Sequence, residues 1–315
     1  MKSPFAQALL VAIIAGVATA LMSGLVVRSS APTLMLTMLA PAPLMIAGFG
    51  WHPLAAALGG IVAALIGQLA TSNVAAYVIA GMLAVPSYGI TALALNRFSM
   101  FSQRPQRDGK EMGGIAVLVV IFLALAGVLA AMAVEPDFEA LTRRLKAALE
   151  IVMREATGLD VSVPQARGEA LARLYDLFAQ IILPMSALVT LTTIVISATL
   201  AVQVAERAGL LAYPRPDFRR FAVPGGGLIL IGLSILVAMR PGYLGVMGDT
   251  VLGGMLFLFM LQGLAVIHVR TLGFSGRGIL LFLIWVSLVV FGLPAFLFML
   301  VGMADHLLDF RRGRL

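Results

Sequence analysis

The fold is decided by stretches such as GGIAVLVVIFLALAGVLAAMAV, residues 113–134, in which no side chain carries a charge. A span needs about 20 apolar residues, so this run is long enough to cross a bilayer as one α-helix. The same pattern fills the N-terminal region, where only Lys2 and Arg28 are charged between Met1 and Asn96. Because a charge at mid-membrane is costly, charge-free stretches separated by charged connectors indicate a chain threaded repeatedly through lipid.

The composition fits a membrane protein and excludes several other classes. Mean hydropathy is +1.02, with 61% hydrophobic and 12% charged residues, whereas soluble domains carry about 25% charged residues. There is no cysteine, which excludes a disulfide framework, a thiolate nucleophile and a thiolate metal site. The net charge of +7 comes from basic residues in short connectors. Membrane orientation explains these residues, so no nucleic-acid partner is predicted.

We therefore predict an all-α, polytopic transmembrane helix bundle of about eight to ten spans. Pro41 and Pro43 are expected to break or kink the second span and to free carbonyls that need partners. Pro294 is expected to split the last apolar stretch into a hairpin of two short helices, 278–292 and 295–308. The candidate spans are 6–27, 33–50, 53–72, 74–95, 113–134, 178–204, 224–239, 248–269 and 278–303.

Arginine and lysine residues predict the orientation, because short cytoplasmic loops are enriched in both. They cluster in the connectors 96–112, 205–222 and 270–277. Counting spans from a cytoplasmic N-terminus puts all three connectors on the inner side, and the hairpin returns the basic tail to that side. The sequence thus predicts a multi-pass protein of the bacterial cytoplasmic (inner) membrane.

One sizeable segment, 135–176, is predicted to lie outside the membrane as a helical insertion. Glu139 and Arg143, like Lys146 and Glu150, are opposite charges four residues apart, and apolar residues recur at helical spacing. We interpret the segment as an amphipathic helix that rests on lipid headgroups or on the outer face of the protein. The alternative is a lid or a partner-docking cap.

Small residues form a stripe along the first helix, because every fourth position is alanine or glycine. Small side chains let another helix approach closely, and such packing drives helix association in lipid. We interpret the stripe as a helix-docking face, favouring a helix of the same bundle over another subunit. Its members are Ala8, Ala12, Gly16, Ala20 and Gly24.

Polar side chains within or beside the spans are the candidates for a solute pocket. The alternative is interhelical hydrogen bonding or anchoring at the membrane surface. No catalytic residue is predicted, since no span carries a paired acid, base or nucleophile, and no histidine or carboxylate spacing fits a metal. No phosphate-loop motif or other cofactor signature is found either. The candidate substrate-binding residues are Gln68, Asn73, Tyr77 and Gln180.

Three features carry a resemblance to a known family. They are the stripe over 8–24, the proline- and glycine-rich spans over 41–67, and a pair of short motifs. The motifs are FxxFxxP at 218–224 and the ending GMADHLLDFR at 302–311. With these features the chain resembles the bacterial DUF2232/YybS-like membrane proteins, a family similar to the S components of energy-coupling-factor vitamin transporters.

The resemblance implies two parts and a role. Residues 1–204 would form a six-span S-component-like bundle carrying the insertion, and 205–315 would add C-terminal helices and a basic tail. The role would be a substrate-binding or transport-related subunit that captures a solute from the outer side and works with a transport-coupling membrane subunit. The scarcity of buried charge favours an apolar or amphipathic solute. The alternative is a non-transporting organiser that binds another protein of the cell envelope.

Overall fold

A computed structural model describes residues 4–23, 36–70, 76, 79–101, 108–157, 165–211 and 213–312. These ranges contain eleven α-helices and no strand, which confirms the all-α prediction. The helices are α1 (Pro4–Met22), α2 (Ala42–Gly50), α3 (Pro53–Ala70), α4 (Val85–Phe101), α5 (Asp108–Val134), α6 (Phe138–Thr157), α7 (Gln165–Arg207), α8 (Gly227–Ala238), α9 (Tyr243–Arg270), α10 (Arg277–Phe291) and α11 (Pro294–Leu308).

Within the described residues, five helical stretches are long and apolar enough to cross a membrane. They are α3, α5, α7, α9 and the stretch Ile79–Asn96, in which a short π-helix (Ile79–Ala84) leads into α4. The remaining apolar helices are shorter. Helices suit these uncharged runs because a helix satisfies its own backbone hydrogen bonds where lipid offers none.

Helix α2 begins only at Ala42, after turns that contain the first of the two prolines. The expected break in the second span is therefore confirmed. Two carbonyls in the preceding turns accept side-chain hydrogen bonds, from Thr19 to Ala40 at 2.9 Å and from Ser197 to Met38 at 3.3 Å. Partners from two other helices thus satisfy backbone groups that would otherwise be unpaired in an apolar interior.

The small-residue stripe of α1 packs against α3 of the same chain. Ala12 and Ala20 are fully buried, Ala8 is half-buried, and Gly24 lies outside the described residues. A Cβ atom on Gly59 of α3 would lie 2.8 Å from the Ala12 carbonyl oxygen, and one on Gly16 would collide with the Gly59 carbonyl. The two backbones approach so closely that this face has no room for a second partner.

Helix α9 is the centre of the C-terminal half and packs against α5, α7, α8 and α11. The stretch 261–266 of α9 is buried without interruption, and every turn before it contains at least one buried residue. The crossing with α11 is close, because a Cβ atom on Gly263 or Gly302 would collide with a backbone carbonyl of the opposite helix. Helix α9 therefore joins the parts before and after residue 204, whose division into two parts stays a prediction.

The basic segments meet at one end of the bundle. The Ala222 N–H donates to the Gly109 carbonyl at 3.2 Å, and the Phe218 ring lies edge-on to His268 with centroids 5.7 Å apart. Arg311 also donates hydrogen bonds to two backbone carbonyls of this region. We call this end, formed by residues 108–113, 213–226, 262–270 and 305–312, the basic end. The described parts 108–112 and 213–222 of two connectors thus lie beside the end of α9 and the tail residue Arg311, in agreement with the charge pattern.

The insertion contains the helix that its charge spacing predicts, with one of the two expected ion pairs. Helix α6 buries Leu141, and the expected Arg143–Glu139 pair is present at 3.7 Å. Lys146, which we expected to pair with Glu150, reaches Asp176 on α7 at 2.6 Å.

The last stretch divides into α10 and α11 at Gly292, whose positive φ of 65° suits a residue without a Cβ. The predicted split into two short helices is confirmed.

Candidate functional site

A buried ion pair lies at the basic end. Asp309 takes a left-handed conformation (φ 49°, ψ 59°) directly after α11, which folds the chain back on the helix. As a result, Arg311 Nη2 donates to Asp305 Oδ2 at 2.8 Å. Asp305 is only 3% exposed and Arg311 only 8%. Two ions this deeply buried need further hydrogen bonds to offset their lost hydration.

The further hydrogen bonds connect the ion pair to two other segments. Arg311 Nη1 donates to the carbonyls of Arg219 at 2.9 Å and Phe221 at 2.8 Å. Gln262 of α9 donates from Nε2 to Asp305 Oδ2 at 2.7 Å, and its Oε1 accepts from the Val223 N–H at 2.9 Å.

We call Gln262, Asp305 and Arg311 the latch. The latch joins α9 and the end of α11 to the connector that precedes α8. Removing one partner of a buried ion pair costs about 3–5 kcal/mol, because the other charge stays buried without its counter-ion.

The connector fastened by the latch is the segment 213–221, which we call the closing segment. Asp217 caps a single turn of 3₁₀ helix, Phe218–Arg220, by accepting from the Arg219 N–H at 3.0 Å. Burial alone would raise the pKa of Asp217, but its hydrogen bonds with Arg219 and the charges of Arg219 and Arg220 lower that pKa. Asp217 is therefore ionised at cellular pH and holds the turn in place.

The closing segment forms one wall of an apolar cavity of about 230 Å³. An apolar cavity of about 150 Å³ suffices to hold benzene, so this one has room for a larger apolar group. Its walls come from α2, α4, α5, α7 and α9 as well as from the closing segment. The lining residues are Phe49, Ile90, Ala94, Met112, Ile115, Ala116, Val119, Leu191, Ile194, Val195, Ala198, Thr199, Val202, Tyr213, Arg215, Pro216, Phe218, Phe221 and Leu261.

Polar groups in the lining are few and differ in character. The Thr199 hydroxyl donates to the Val195 carbonyl of its own helix at 2.8 Å. Burial raises the pKa of the Tyr213 hydroxyl, which is therefore uncharged at cellular pH. Arg215 is the one charged residue among the described lining residues, and its Nη1 lies 3.8 Å from Glu206 Oε2. Such a cavity suits a ligand that is mostly apolar.

Of the four candidate residues chosen from the sequence, the two that the structure describes do not line the cavity. Gln68 lies exposed near the end of α3, and Gln180 lies exposed on α7. Asn73 and Tyr77 lie outside the described residues. The role of these four residues in binding a solute stays a prediction.

Two segments of the latch region were recognisable in the sequence, but their contact was not predicted. The 218–224 motif and the 302–311 ending served only as marks of a family. In the structure the second motif supplies Asp305 and Arg311, and the first supplies carbonyls that Arg311 binds. The available signal was the pairing of opposite charges, Asp305 within an apolar stretch and Arg311 shortly after it. Gln262 gave no signal beyond its polarity.

The family comparison covers nearly the whole chain. A family model described as a predicted membrane protein (DUF2232) matches residues 16–306, which include the latch residues Gln262 and Asp305. Neither a curated protein nor a solved structure matches the chain. The resemblance to S components of energy-coupling-factor transporters therefore stays a prediction.

Proposed function

The chain belongs to the DUF2232 family of predicted membrane proteins, and we propose that it binds a small, largely apolar or amphipathic molecule within its helix bundle. The observation that carries the proposal is the apolar cavity of about 230 Å³ beside the closing segment. Ligand sites are typically concave, mostly apolar and supplied with a few polar groups. The lining has this composition, and Tyr213 and Arg215 of the closing segment are among its few polar groups.

The position of the cavity changes the side of the membrane from which we expect the molecule to enter. Sequence reasoning expected capture from the outer side, whereas the cavity reaches the basic end through Arg215 and Pro216. Short loops rich in arginine and lysine face the cytoplasm. We therefore propose that the cavity opens at the cytoplasmic side of the inner membrane. A cytoplasmic N-terminus stays a prediction from the charge pattern.

The latch favours a protein that takes up and releases the molecule over one that only binds it. The closing segment lies between the cavity and the latch, and its carbonyls at Arg219 and Phe221 are the ones that Arg311 binds. Release of Arg311 would remove two of the hydrogen bonds that hold the segment and would not require a helix to unfold. In our proposal the protein is a non-catalytic, transport-related subunit, and a partner or an ion gradient supplies any energy.

The proposal is tested by filling the cavity with a side chain. Ala116 lines the cavity from α5, whereas Ala130 lies exposed on the same helix. We expect Ala116→Phe to abolish saturable binding of a fluorescent apolar probe by the purified protein, because the added ring occupies the cavity. Ala130→Phe, the matched control, should bind as the wild type does.

Equal probe binding by Ala116→Phe and the wild type would overturn the proposal. Thermal unfolding of both variants establishes that they are folded, so that lost binding is read only from folded protein. Should Ala116→Phe fail to fold, the smaller change Ala116→Leu is expected to weaken probe binding in the same direction.

A further inference from the structure

The cavity lies between two helices that hardly touch each other. Helices α4 and α7 make few contacts with each other, although α4 packs on α5, and α7 packs on α2. Thr199 lines the cavity from α7 and is exposed at the same time. Its exposed neighbours on α7 are apolar, with Ile196 43% and Leu200 38% exposed. The gap between α4 and α7 therefore opens towards the surface that faces lipid.

The rim of the cavity at the basic end is cationic. The Arg215 side chain is 43% exposed, and its 3.8 Å ion pair with Glu206 is long and accessible to solvent. Exposed ion pairs contribute little to stability, so Arg215 can exchange Glu206 for another anion at small cost. A guanidinium binds phosphate and carboxylate oxygens in a bidentate manner. Arg207, Arg219 and Arg220 add positive charge to the same connector.

We propose that the cavity holds the acyl chain of an anionic membrane lipid, which enters between α4 and α7, and that Arg215 binds its headgroup. The inference rests on the proposed function and specifies its ligand. Apolar walls with a single cation at the rim match a molecule with an apolar chain and one anionic end. The site lies where the inner leaflet would place an anionic headgroup, and anionic lipids of that leaflet are attracted to basic residues near the membrane surface.

The test compares variants on the two sides of one ion pair. Purified protein is equilibrated with phosphatidylglycerol or phosphatidylcholine, and bound lipid is counted by native mass spectrometry. We expect the wild type to retain more phosphatidylglycerol. Arg215→Gln should retain about fivefold less phosphatidylglycerol, which corresponds to one basic residue near an anionic headgroup. Glu206→Gln should retain more, because it removes the anion that competes for Arg215.

The opposite signs separate headgroup binding from a structural role. Were Arg215 only holding the closing segment to α7, Arg215→Gln and Glu206→Gln would change retention in the same direction. Arg143 of α6 forms a comparable exposed pair with Glu139 at 3.7 Å and does not line the cavity, so Arg143→Gln is the control and should retain phosphatidylglycerol as the wild type does. Equal retention of the two lipids by the wild type, or an unchanged Arg215→Gln, would overturn the inference.

The experiment also separates this inference from the proposed function. Diacylglycerol, which has acyl chains but no charged headgroup, is the third probe. If Ala116→Phe abolishes diacylglycerol binding while Arg215→Gln leaves phosphatidylglycerol retention unchanged, the cavity binds chains without recognising the headgroup, and only the inference fails. If Ala116→Phe leaves binding of all three lipids unchanged, the proposed function fails as well.

Discussion

The contact of α1 with α3 and the contact of α11 with the closing segment represent two ways of holding a membrane protein together. The first uses bare backbones, with Gly16 against Gly59 and no charged side chain. The second uses a buried ion pair, Asp305 with Arg311, whose donors reach carbonyls of another segment. Small-residue packing depends on the close fit of the two backbones and involves no ion pair that could be broken. A polar latch depends on every partner being present, so losing one partner can release it.

The largest expected effect comes from breaking the latch on one side. Arg311→Gln or Asp305→Asn should destabilise the protein by about 3–5 kcal/mol, because each leaves a buried group without its charged partner. The double variant Asp305→Leu with Arg311→Met should be more stable than either single variant, since no charge then remains buried. The measurement is thermal unfolding of the detergent-purified protein.

An exposed ion pair serves as the control, because it shows how much stability an ion pair contributes when it is not buried. Arg143 and Glu139 of α6 form an exposed pair at 3.7 Å. Arg143→Gln should therefore change stability by at most about 1 kcal/mol. A wild-type Tm for Arg311→Gln would show that the buried pair contributes no more than this exposed one, and the contrast between the two contacts would be lost.

A smaller effect is expected from the glycine contact. In Gly16→Ala the new methyl group meets the Gly59 carbonyl, and overpacking of this kind costs about 1–3 kcal/mol. Gly89 of α4 is the matched control, since a Cβ atom there meets nothing within 4 Å. Gly89→Ala should be neutral or slightly stabilising, because alanine has the better helix propensity. Equal Tm values for the two alanine variants would contradict close packing of α1 on α3.

Local features of the fold could be predicted from the sequence, and long-range ones could not. Charge-free runs predicted the helices, Pro41 and Pro43 predicted the broken second span, and Pro294 predicted the split near Gly292. Each of these follows from backbone chemistry within a few residues. Clustered arginines also predicted that the connectors share one end, because that rule concerns the membrane and not a particular contact.

The latch and the cavity depend instead on which helices become neighbours. Gln262 has the same sequence signal as Gln68 and Gln180, a single amide near a membrane span. Only the crossing of α9 with α11 places Gln262 beside Asp305. The cavity is lined mostly by ordinary apolar residues, which no motif distinguishes from those facing lipid. Polarity alone therefore does not locate this cavity.

The central claim is that the latch holds the closing segment over the cavity, and cysteine labelling tests it directly. The chain has no cysteine, so a single Ala116→Cys can be introduced into the wild type and into Arg311→Gln and labelled with a maleimide. We predict faster labelling in the Arg311→Gln background, because release of the closing segment makes Ala116, which is already partly exposed, more accessible to the reagent. Ala130→Cys, exposed on the same helix, should label equally in both backgrounds. Equal labelling of Ala116→Cys in both backgrounds would contradict the account.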